Sequence, residues 1–146
     1  MRVEIRLDGQ LSEPYAVLYA PRLSEELERL ARRLSDERDM PIAGFNDGQV
    51  RLIDPEEIRY LYCQGARVYA HTIHGDYALR LRLYELEQRL DPARFVRVSN
   101  GEIVNLKKVT RLDLSRAGTL SMEIEGGACV YASRRQISKI RKRLGI

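Results

Sequence analysis

Apolar and charged residues alternate over residues 3–8, where the apolar members are Val3, Ile5 and Leu7. A period of two is typical of a strand that buries one face. A second short apolar run, residues 16–20, lies between two prolines. We therefore predict two strands within the first twenty residues.

The hydrophobic period then changes to that of a helix. Leucines recur at helical spacing at Leu23, Leu27, Leu30 and Leu34. Ser24 precedes most of this run and is a suitable N-cap, and acidic residues follow in the first turn. The pattern predicts a β-β-α segment over residues 1–44, with a boundary near residue 44.

Short apolar runs rich in β-branched and aromatic residues fill most of residues 45–146. Turn-forming residues separate them, which favours strands. The predicted strands are 49–53, 58–63, 67–73, 77–81, 95–98, 109–114, 120–125 and 128–132. Gly126 and Gly127 join the last two as a two-residue hairpin, because glycine readily adopts positive φ.

Two helices interrupt or end this β-rich region. The first carries Leu83, Leu86 and Leu90 on one face and ends before an Asp-Pro pair. The second follows Ser133, which stands three residues before Gln136 as in a capping box. Its apolar stripe is formed by Ile137, Ile140 and Leu144, and Gly145 ends it.

Charge is distributed unevenly along the 146 residues. The net charge is +4, but residues 1–44 sum to −2 and residues 45–146 to +6. Residues 134–146 hold six basic residues and no acidic one. A basic field of this kind attracts polyanions. The C-terminal part is therefore expected to face an anionic partner.

Enzymatic, metal and cofactor chemistry finds little support. His71 and His74 are the only histidines, and an extended backbone does not place them on one ligand face. No glycine-rich phosphate loop or nucleophile elbow is present. No apolar run reaches the roughly 20 residues of a membrane span. Cys63 and Cys129 are expected as free thiols in the cytoplasm.

Two segments are candidates for nucleic-acid contacts. Asn100 follows a predicted strand, and an asparagine amide can bind adenine bidentately. Arg97 in that strand is a candidate phosphate ligand. At Ser133 and Arg135 a strand meets the basic helix, and a guanidinium there can bind guanine or a phosphate. The simpler interpretation is that the first segment is only a turn and the second only a helix start with solvated arginines.

Three motifs together resemble the LytTR family of bacterial DNA-binding domains. Residues 94–106 read RFVRVSNGEIVNL and resemble the core motif of that family. The helix at 83–90, LYELEQRL, is similar to its L-x-E-L-E segment, and 130–135, VYASRR, is similar to its terminal motif. The three motifs occur in the family's order, and the resemblance covers residues 45–146.

The resemblance implies an α+β, mainly β fold of antiparallel strands in small sheets with short helices. It implies a transcriptional regulator that inserts inter-strand loops into successive major grooves of double-stranded promoter DNA, as a homodimer on repeated sites. No enzyme activity or cofactor is expected. The positions that correspond to DNA-contacting or supporting residues are Arg67, Arg97, Asn100, Tyr131, Ser133, Arg134, Arg135 and Lys139.

This chain also departs from the family pattern. Ser99 stands where histidine is common, and Glu102 would be unfavourable beside phosphates. Residues 1–44 are too short for the receiver domain that often accompanies the family, so a stand-alone regulator is expected. This segment is expected either to dimerise or to pack on the β-rich domain. The alternative function is a module whose basic C-terminal helix binds another protein or a membrane surface.

Overall fold

A computed structural model describes residues 1–35, 40–115 and 117–146 of the chain. The chain divides into two compact units, Met1–Asp36 and Glu37–Ile146. The division comes a few residues before the boundary predicted near residue 44. Residues 42–44 fall in the second unit because they belong to the first strand of its sheet.

The first unit contains the predicted helix, α1 (Glu25–Ser35). Ser24 begins it as predicted, because its hydroxyl accepts the Leu27 N–H at 3.2 Å and its carbonyl accepts the Glu28 N–H at 3.0 Å. Glu25 and Glu26 lie in the first turn, where the helix dipole favours negative charge.

The two strands predicted before α1 are not found, and the β-β part of the predicted β-β-α segment is wrong for this structure. None of the described residues before α1 pairs as a strand. The alternating side chains of Val3, Ile5 and Leu7 are exposed. Alternation indicates which face of a strand would be buried, but a strand also needs a neighbour for its backbone N–H and C=O groups.

The second unit contains two antiparallel sheets, which confirms the predicted mainly β class. Seven strands pair in the order β2-β1-β5-β4-β3-β7-β6, and three pair in the order β10-β9-β8. Their bounds are β1 (Ile42–Asn46), β2 (Gln49–Ile53), β3 (Ile58–Gln64), β4 (Arg67–Thr72), β5 (Gly75–Leu79), β6 (Phe95–Ser99), β7 (Glu102–Asn105), β8 (Val109–Leu114), β9 (Leu120–Ile124) and β10 (Cys129–Ala132). Short 3-10 turns, Pro55–Glu57 and Leu106–Lys108, precede β3 and β8.

Two strands were not predicted, and each contains a residue that interrupts the apolar pattern. In β1 this residue is Gly44, where a Cβ atom would lie 2.4 Å from the Ile53 Cδ1 and 2.8 Å from the Tyr77 Cβ. In β7 it is Asn105, which is buried and donates from its Nδ2 to the Ile58 carbonyl at 2.8 Å. Gly44 is required by close packing, and Asn105 is required by its hydrogen bond to a backbone carbonyl. Neither requirement produces an alternation of apolar and polar residues.

The β6–β7 hairpin lies between two hydrophobic cores. Phe95 and Ile103 belong to the first core, which is completed by helix α2 (Leu83–Arg89). Val96 and Val104 are directly opposite each other and belong to the second core. Because successive side chains point to opposite faces, one hairpin supplies both cores. The turn of this hairpin is therefore anchored on both sides.

The first core lies under α2 as the sequence predicts. Leu83, Leu86 and Leu90 are all buried against the larger sheet. Full burial of one such side chain contributes about 1.5–3 kcal/mol. The helix ends at Leu90, whose N–H donates to the Leu86 carbonyl at 2.8 Å.

The second core lies between the smaller sheet and helix α3 (Arg134–Leu144). Gly126 and Gly127 have φ values of 96° and 100° between β9 and β10, which confirms the predicted hairpin. Gly145 ends α3 as predicted, in the left-handed conformation with φ of 71°. Ile140 is fully buried in this core, and Ile137 and Leu144 pack against it.

Candidate nucleic-acid interface

Antiparallel pairing brings two turns to the same end of the seven-stranded sheet. Arg67 begins β4 opposite Gln64, directly after the β3–β4 turn. The β6–β7 turn, which contains Asn100, lies beside it because the Cys63 N–H donates to the Gly101 carbonyl at 2.9 Å. Two candidate residues that are 33 positions apart in the sequence thus lie at one sheet end.

The start of α3 joins the same end. The Ser133 N–H donates to the Val98 carbonyl at 2.7 Å, two residues before Asn100. Tyr131 precedes this junction on β10 and is exposed, opposite Ser121. The structure therefore brings together the two candidate segments of the sequence and the Arg67 turn that the family resemblance added.

The Asn100 turn is ordered by its neighbours, while its own side chain is exposed. The Ser99 hydroxyl accepts the Gly101 N–H and donates to a Glu102 carboxylate oxygen, each at 3.3 Å. This second bond engages the Glu102 carboxylate within the turn. The Asn100 amide makes no hydrogen bond with the described residues. It is therefore available to an external partner.

Arg97 is held within the protein. Its Nε donates to the Ser99 carbonyl at 2.7 Å, and one terminal nitrogen donates to the Asn100 carbonyl at 2.5 Å. The other terminal nitrogen pairs with the Glu87 carboxylate on α2. Only 22% of the Arg97 side chain is exposed. These contacts tie Arg97 to the Asn100 turn and to α2, and they engage the guanidinium that the sequence suggests as a phosphate ligand.

The capping box predicted at the start of α3 is not formed. Ser133 has the extended backbone of an N-cap, but its hydroxyl makes no capping hydrogen bond. The box also requires the Gln136 side chain to accept the Ser133 N–H. That N–H already donates to Val98, so the box cannot close. The first turn is completed by the Ser133 carbonyl, which accepts the N–H groups of Gln136 at 2.9 Å and Ile137 at 3.2 Å.

The basic residues of α3 point away from the second core. Arg134, Arg135 and Lys139 are exposed, and their charged groups make no ion pair with the described residues. The apolar stripe on the other side of the helix is occupied by packing against the domain. α3 therefore presents a basic face on a fixed support, and its apolar face is not available to a membrane or another protein.

Two arginines at the same sheet end were missed by the sequence analysis. Leu79 pairs with Val68, so Arg80 comes next to Arg67 where the strands end. Arg80 is exposed, and its guanidinium lies 4.4 Å from the centre of the Phe45 ring. Arg82 is exposed two residues later. The strand predicted over residues 77–81 would include Arg80, but β5 ends at Leu79. Only the register of β4 and β5 shows that Arg80 lies beside Arg67 at the candidate interface.

The two histidines lie away from this end. The His71 Nδ1 is 2.5 Å from one Asp76 carboxylate oxygen, and the Tyr62 hydroxyl donates to the other at 2.5 Å. Burial raises the pKa of Tyr62 above its ordinary value of 10.0, and the bond with Asp76 adds to the effect. His74 lies in the next turn. Among the described residues, no group of three His, Cys, Asp or Glu side chains is placed to hold a metal ion.

Relatives of this chain match it over its whole length. An uncharacterised HTH-type transcriptional regulator of Staphylococcus aureus strain MSSA476 is 28% identical over 147 residues, which cover 100% of this chain and 99% of the relative. One from strain MW2 matches to the same extent. The fold is similar to the LytTr DNA-binding domain of a Bacillus cereus protein, with a TM-score of 0.71 and 20% identity over 73% of this chain and 98% of that chain.

The helices of this chain are not adjacent in sequence. Within residues 1–35, 40–115 and 117–146, five strands separate α1 from α2 and five more separate α2 from α3. They therefore do not form the two successive helices of a helix-turn-helix motif. No helix in these ranges is long and apolar enough to span a membrane.

The β-rich unit matches the model of a known protein family. Residues 48–145 match the LytTr DNA-binding domain, which is more than half of the chain. The match includes the turn of Asn100 and the start of α3, which the fold brings together at one sheet end. The chain therefore belongs to the LytTR family of DNA-binding domains.

Proposed function

We propose that this protein is a sequence-specific transcriptional regulator that binds promoter DNA in the cytoplasm with the three segments at one end of its larger sheet. The observation that carries the proposal is their convergence. The β3–β4 turn, the β6–β7 turn and the start of α3 are joined by backbone hydrogen bonds from Cys63 and Ser133. Each segment exposes a polar or basic side chain that has no bond with the described residues.

Two residues are suited to base recognition. The Asn100 amide presents a donor and an acceptor side by side, which match the major-groove edge of adenine. The Arg135 guanidinium presents two parallel donors, which match the two acceptors of guanine. We place the turn of Asn100 in one major groove and the start of α3 in a successive one, where a good bidentate contact contributes about 1–3 kcal/mol of discrimination.

The remaining candidate residues are suited to the sugar-phosphate backbone. Such contacts fix register and orientation but carry no sequence information. The group contains Arg67, Tyr131, Ser133, Arg134 and Lys139. We add Arg80 to it because Arg80 is exposed beside Arg67. Arg97 acts through the Asn100 turn, because its guanidinium holds two carbonyls of that turn.

Homodimer formation is assigned to residues 1–44. A dimer binds two DNA half-sites. Because the two domains are linked, binding of the first half-site raises the effective concentration of the second domain at the other half-site. Within this segment, Leu23 just before α1 and Leu34 in its last turn are exposed, so the unit has apolar surface available for a second copy.

The proposal is tested with a randomised DNA pool, from which bound sequences are selected and their affinities measured by fluorescence anisotropy. The wild type should enrich a repeated motif, and Arg135→Ala should lose preference at one position of each repeat. Arg111→Ala is the matched control, since it also removes one exposed positive charge. Arg111 lies on β8, at the edge of the smaller sheet opposite to β10, the strand that leads into α3. Absence of an enriched motif, or equal losses in the two variants, would contradict sequence reading by Arg135.

The same variants separate DNA recognition from the alternative of a surface-binding module. A helix that binds acidic membranes should bind anionic vesicles through its basic face, whatever the DNA sequence. Co-sedimentation with vesicles that persists at physiological salt, together with DNA binding that shows no preference, would favour that module. Sequence-dependent DNA binding without vesicle binding supports the regulator.

A further inference from the structure

The first eight residues have the pattern of a strand but no partner strand among the described residues. Val3, Ile5 and Leu7 are 75%, 83% and 97% exposed. The Arg6 guanidinium bonds the Glu4 carboxylate at 3.1 and 3.2 Å, which places both charged side chains on the same side of the chain. An exposed segment with one apolar and one charged face is a template for pairing with another strand.

The sequence of this segment is self-complementary when it is reversed. In an antiparallel pair of identical strands centred on Ile5, each Arg2 lies opposite Asp8 of the second copy. Glu4 lies opposite Arg6 of the second copy. On the other face the opposing side chains are all apolar, with Val3 opposite Leu7 and Ile5 opposite Ile5. Every cross-strand pair from residue 2 to residue 8 is thus of opposite charge or purely apolar, which is the stabilising arrangement.

Other registers of the same length lose this match. Centring the pair on Glu4 places Glu4 opposite itself and Arg2 opposite Arg6. Centring it on Arg6 places Arg6 opposite itself and Glu4 opposite Asp8. A slip by one residue turns the apolar set of one strand toward the charged set of the other. A parallel pair in register places each charge beside its own copy.

We propose that residues 2–8 pair with the same residues of a second copy of this chain, as an antiparallel ribbon centred on Ile5. The inference rests on the proposed assignment of dimer formation to the N-terminal segment, but not on how the DNA is read. The partner of this exposed segment is a second copy of the chain, because the charge pattern of residues 2–8 complements itself. An acidic or basic peptide would match only half of the charges.

A two-stranded ribbon is marginally stable alone and needs cover for its apolar face. α1 lies in the same unit and carries an apolar stripe of its own. Leu27 and Leu30 are half-buried, and Leu34 is 54% exposed. Leu23, which precedes the helix, is 72% exposed. Ribbon and helix stripe together form the two apolar layers that a small α+β unit requires.

Disulfide trapping tests the register in the full-length chain. The exposed native thiols are first removed as Cys63→Ser and Cys129→Ser. Opposing residues of an antiparallel pair have Cα atoms about 4.5–5.5 Å apart, within reach of a disulfide. Ile5→Cys should therefore form a covalent dimer under mild oxidation.

Val3→Cys supplies the matched control. The two copies of residue 3 would be displaced by four residues, about 13 Å along the strands, which is too far for a disulfide. Val3→Cys alone and Leu7→Cys alone should stay monomeric on a non-reducing gel. An equimolar mixture of the two should give the mixed covalent dimer.

Sedimentation velocity tests the charge pairing without new thiols. Arg6→Glu places Glu opposite Glu4 and should raise the dimer dissociation constant several-fold. The double variant Glu4→Arg with Arg6→Glu restores opposite charges and should recover most of the dimer. Arg111→Glu makes the same charge change on β8 and should leave the dissociation constant unchanged.

Two results would overturn the proposal. One is a monomer at every concentration. The other is a dimer in which Leu34→Cys on α1 is trapped but Ile5→Cys is not, because the helix alone would then form the interface. Binding of a single half-site, measured by anisotropy on the same variants, shows separately whether DNA reading is intact. A failure of this register is therefore distinguishable from a failure of the proposed regulator function.

Discussion

The two segments proposed to read bases are supported in different ways. The Asn100 turn is held by side chains, since Arg97 bonds two of its carbonyls and Ser99 bonds Gly101 and Glu102. The start of α3 is held by its backbone, through the 2.7 Å bond from the Ser133 N–H to the Val98 carbonyl, and by burial of Ile140. In both segments the exposed side chain, Asn100 or Arg135, makes no hydrogen bond or ion pair with the described residues.

This difference separates reading from positioning. Replacing an exposed reader should change DNA binding and leave folding stability within about 0.5 kcal/mol, as surface substitutions usually do. Replacing a support should change both. The polar support of the Asn100 turn and the apolar support of α3 should also respond differently to salt and to substitution by residues of similar shape.

The largest effect is expected from removing the apolar support of α3. Ile140→Ala deletes a fully buried side chain from the second core and should lower the free energy of unfolding by about 2–5 kcal/mol. Amide hydrogen exchange should then be faster in α3 than in β6 and β7. Ser138→Ala changes an exposed residue of the same helix and is the control, measured by urea unfolding. Equal loss of protection in all three elements would show that α3 is not a separate support.

The polar support of the Asn100 turn should have the next largest effect. Arg97→Ala removes hydrogen bonds made by a charged and mostly buried group, and should lower the free energy of unfolding by about 1.5–3 kcal/mol. Arg97→Lys should not restore it, because an ammonium cannot reproduce the planar fork that reaches two carbonyls and Glu87.

Asn100→Ala is the comparison for this support. It should weaken specific DNA binding by about 1–3 kcal/mol and leave thermal unfolding unchanged. If Arg97→Ala weakened DNA binding but left stability intact, Arg97 would be a direct ligand of DNA and not a support of the turn.

A smaller effect is expected for a cation that neutralises a phosphate. Lys142 is exposed in the last turn of α3, far along the helix from Arg135. Lys142→Ala should weaken binding to all sequences alike and reduce the slope of log affinity against log salt by about one. The salt titration should be repeated with Arg135→Ala, which is expected to alter sequence preference as well. A change of preference in Lys142→Ala would extend base reading along α3.

The fold was predictable where burial follows a simple period. Strands such as β4 and β9 end within one residue of the predicted bounds, and every second residue along them is buried. β1 was missed because close packing requires Gly44, which has no side chain to show in a pattern. The strand predicted around Ile5 has a clear pattern but no partner within the described residues. The period of apolar residues therefore predicts which face of a strand would be buried. Whether the strand pairs depends on residues far away in the sequence.

The candidate site was predictable as separate residues but not as a surface. Residue type and position in the chain made Asn100 and Arg135 candidates, and the family resemblance added Arg67. Their convergence depends on the antiparallel register of β3, β4 and β7 and on the hydrogen bond from Ser133 to Val98, which no local motif encodes. For the same reason Arg80 was missed, since its position follows from the pairing of Leu79 with Val68.

The smallest effect concerns the sheet beneath the Asn100 turn. Tyr62 on β3 lies opposite Glu102 on β7, and its hydroxyl donates a hydrogen bond to Asp76. Tyr62→Phe should lower the free energy of unfolding near neutral pH by about 0.5–1 kcal/mol.

Burial, together with the Asp76 bond, raises the pKa of Tyr62 above 10.0, so the folded state favours the neutral phenol. The stabilisation should thus be complete below about pH 10 and decrease above it, as the unfolded chain loses the proton first. Urea unfolding of both proteins from pH 7 to 11 measures the difference. A difference that grows above pH 10 would mean that the folded state favours the ionised phenol, and that Tyr62 does not stabilise this strand through Asp76.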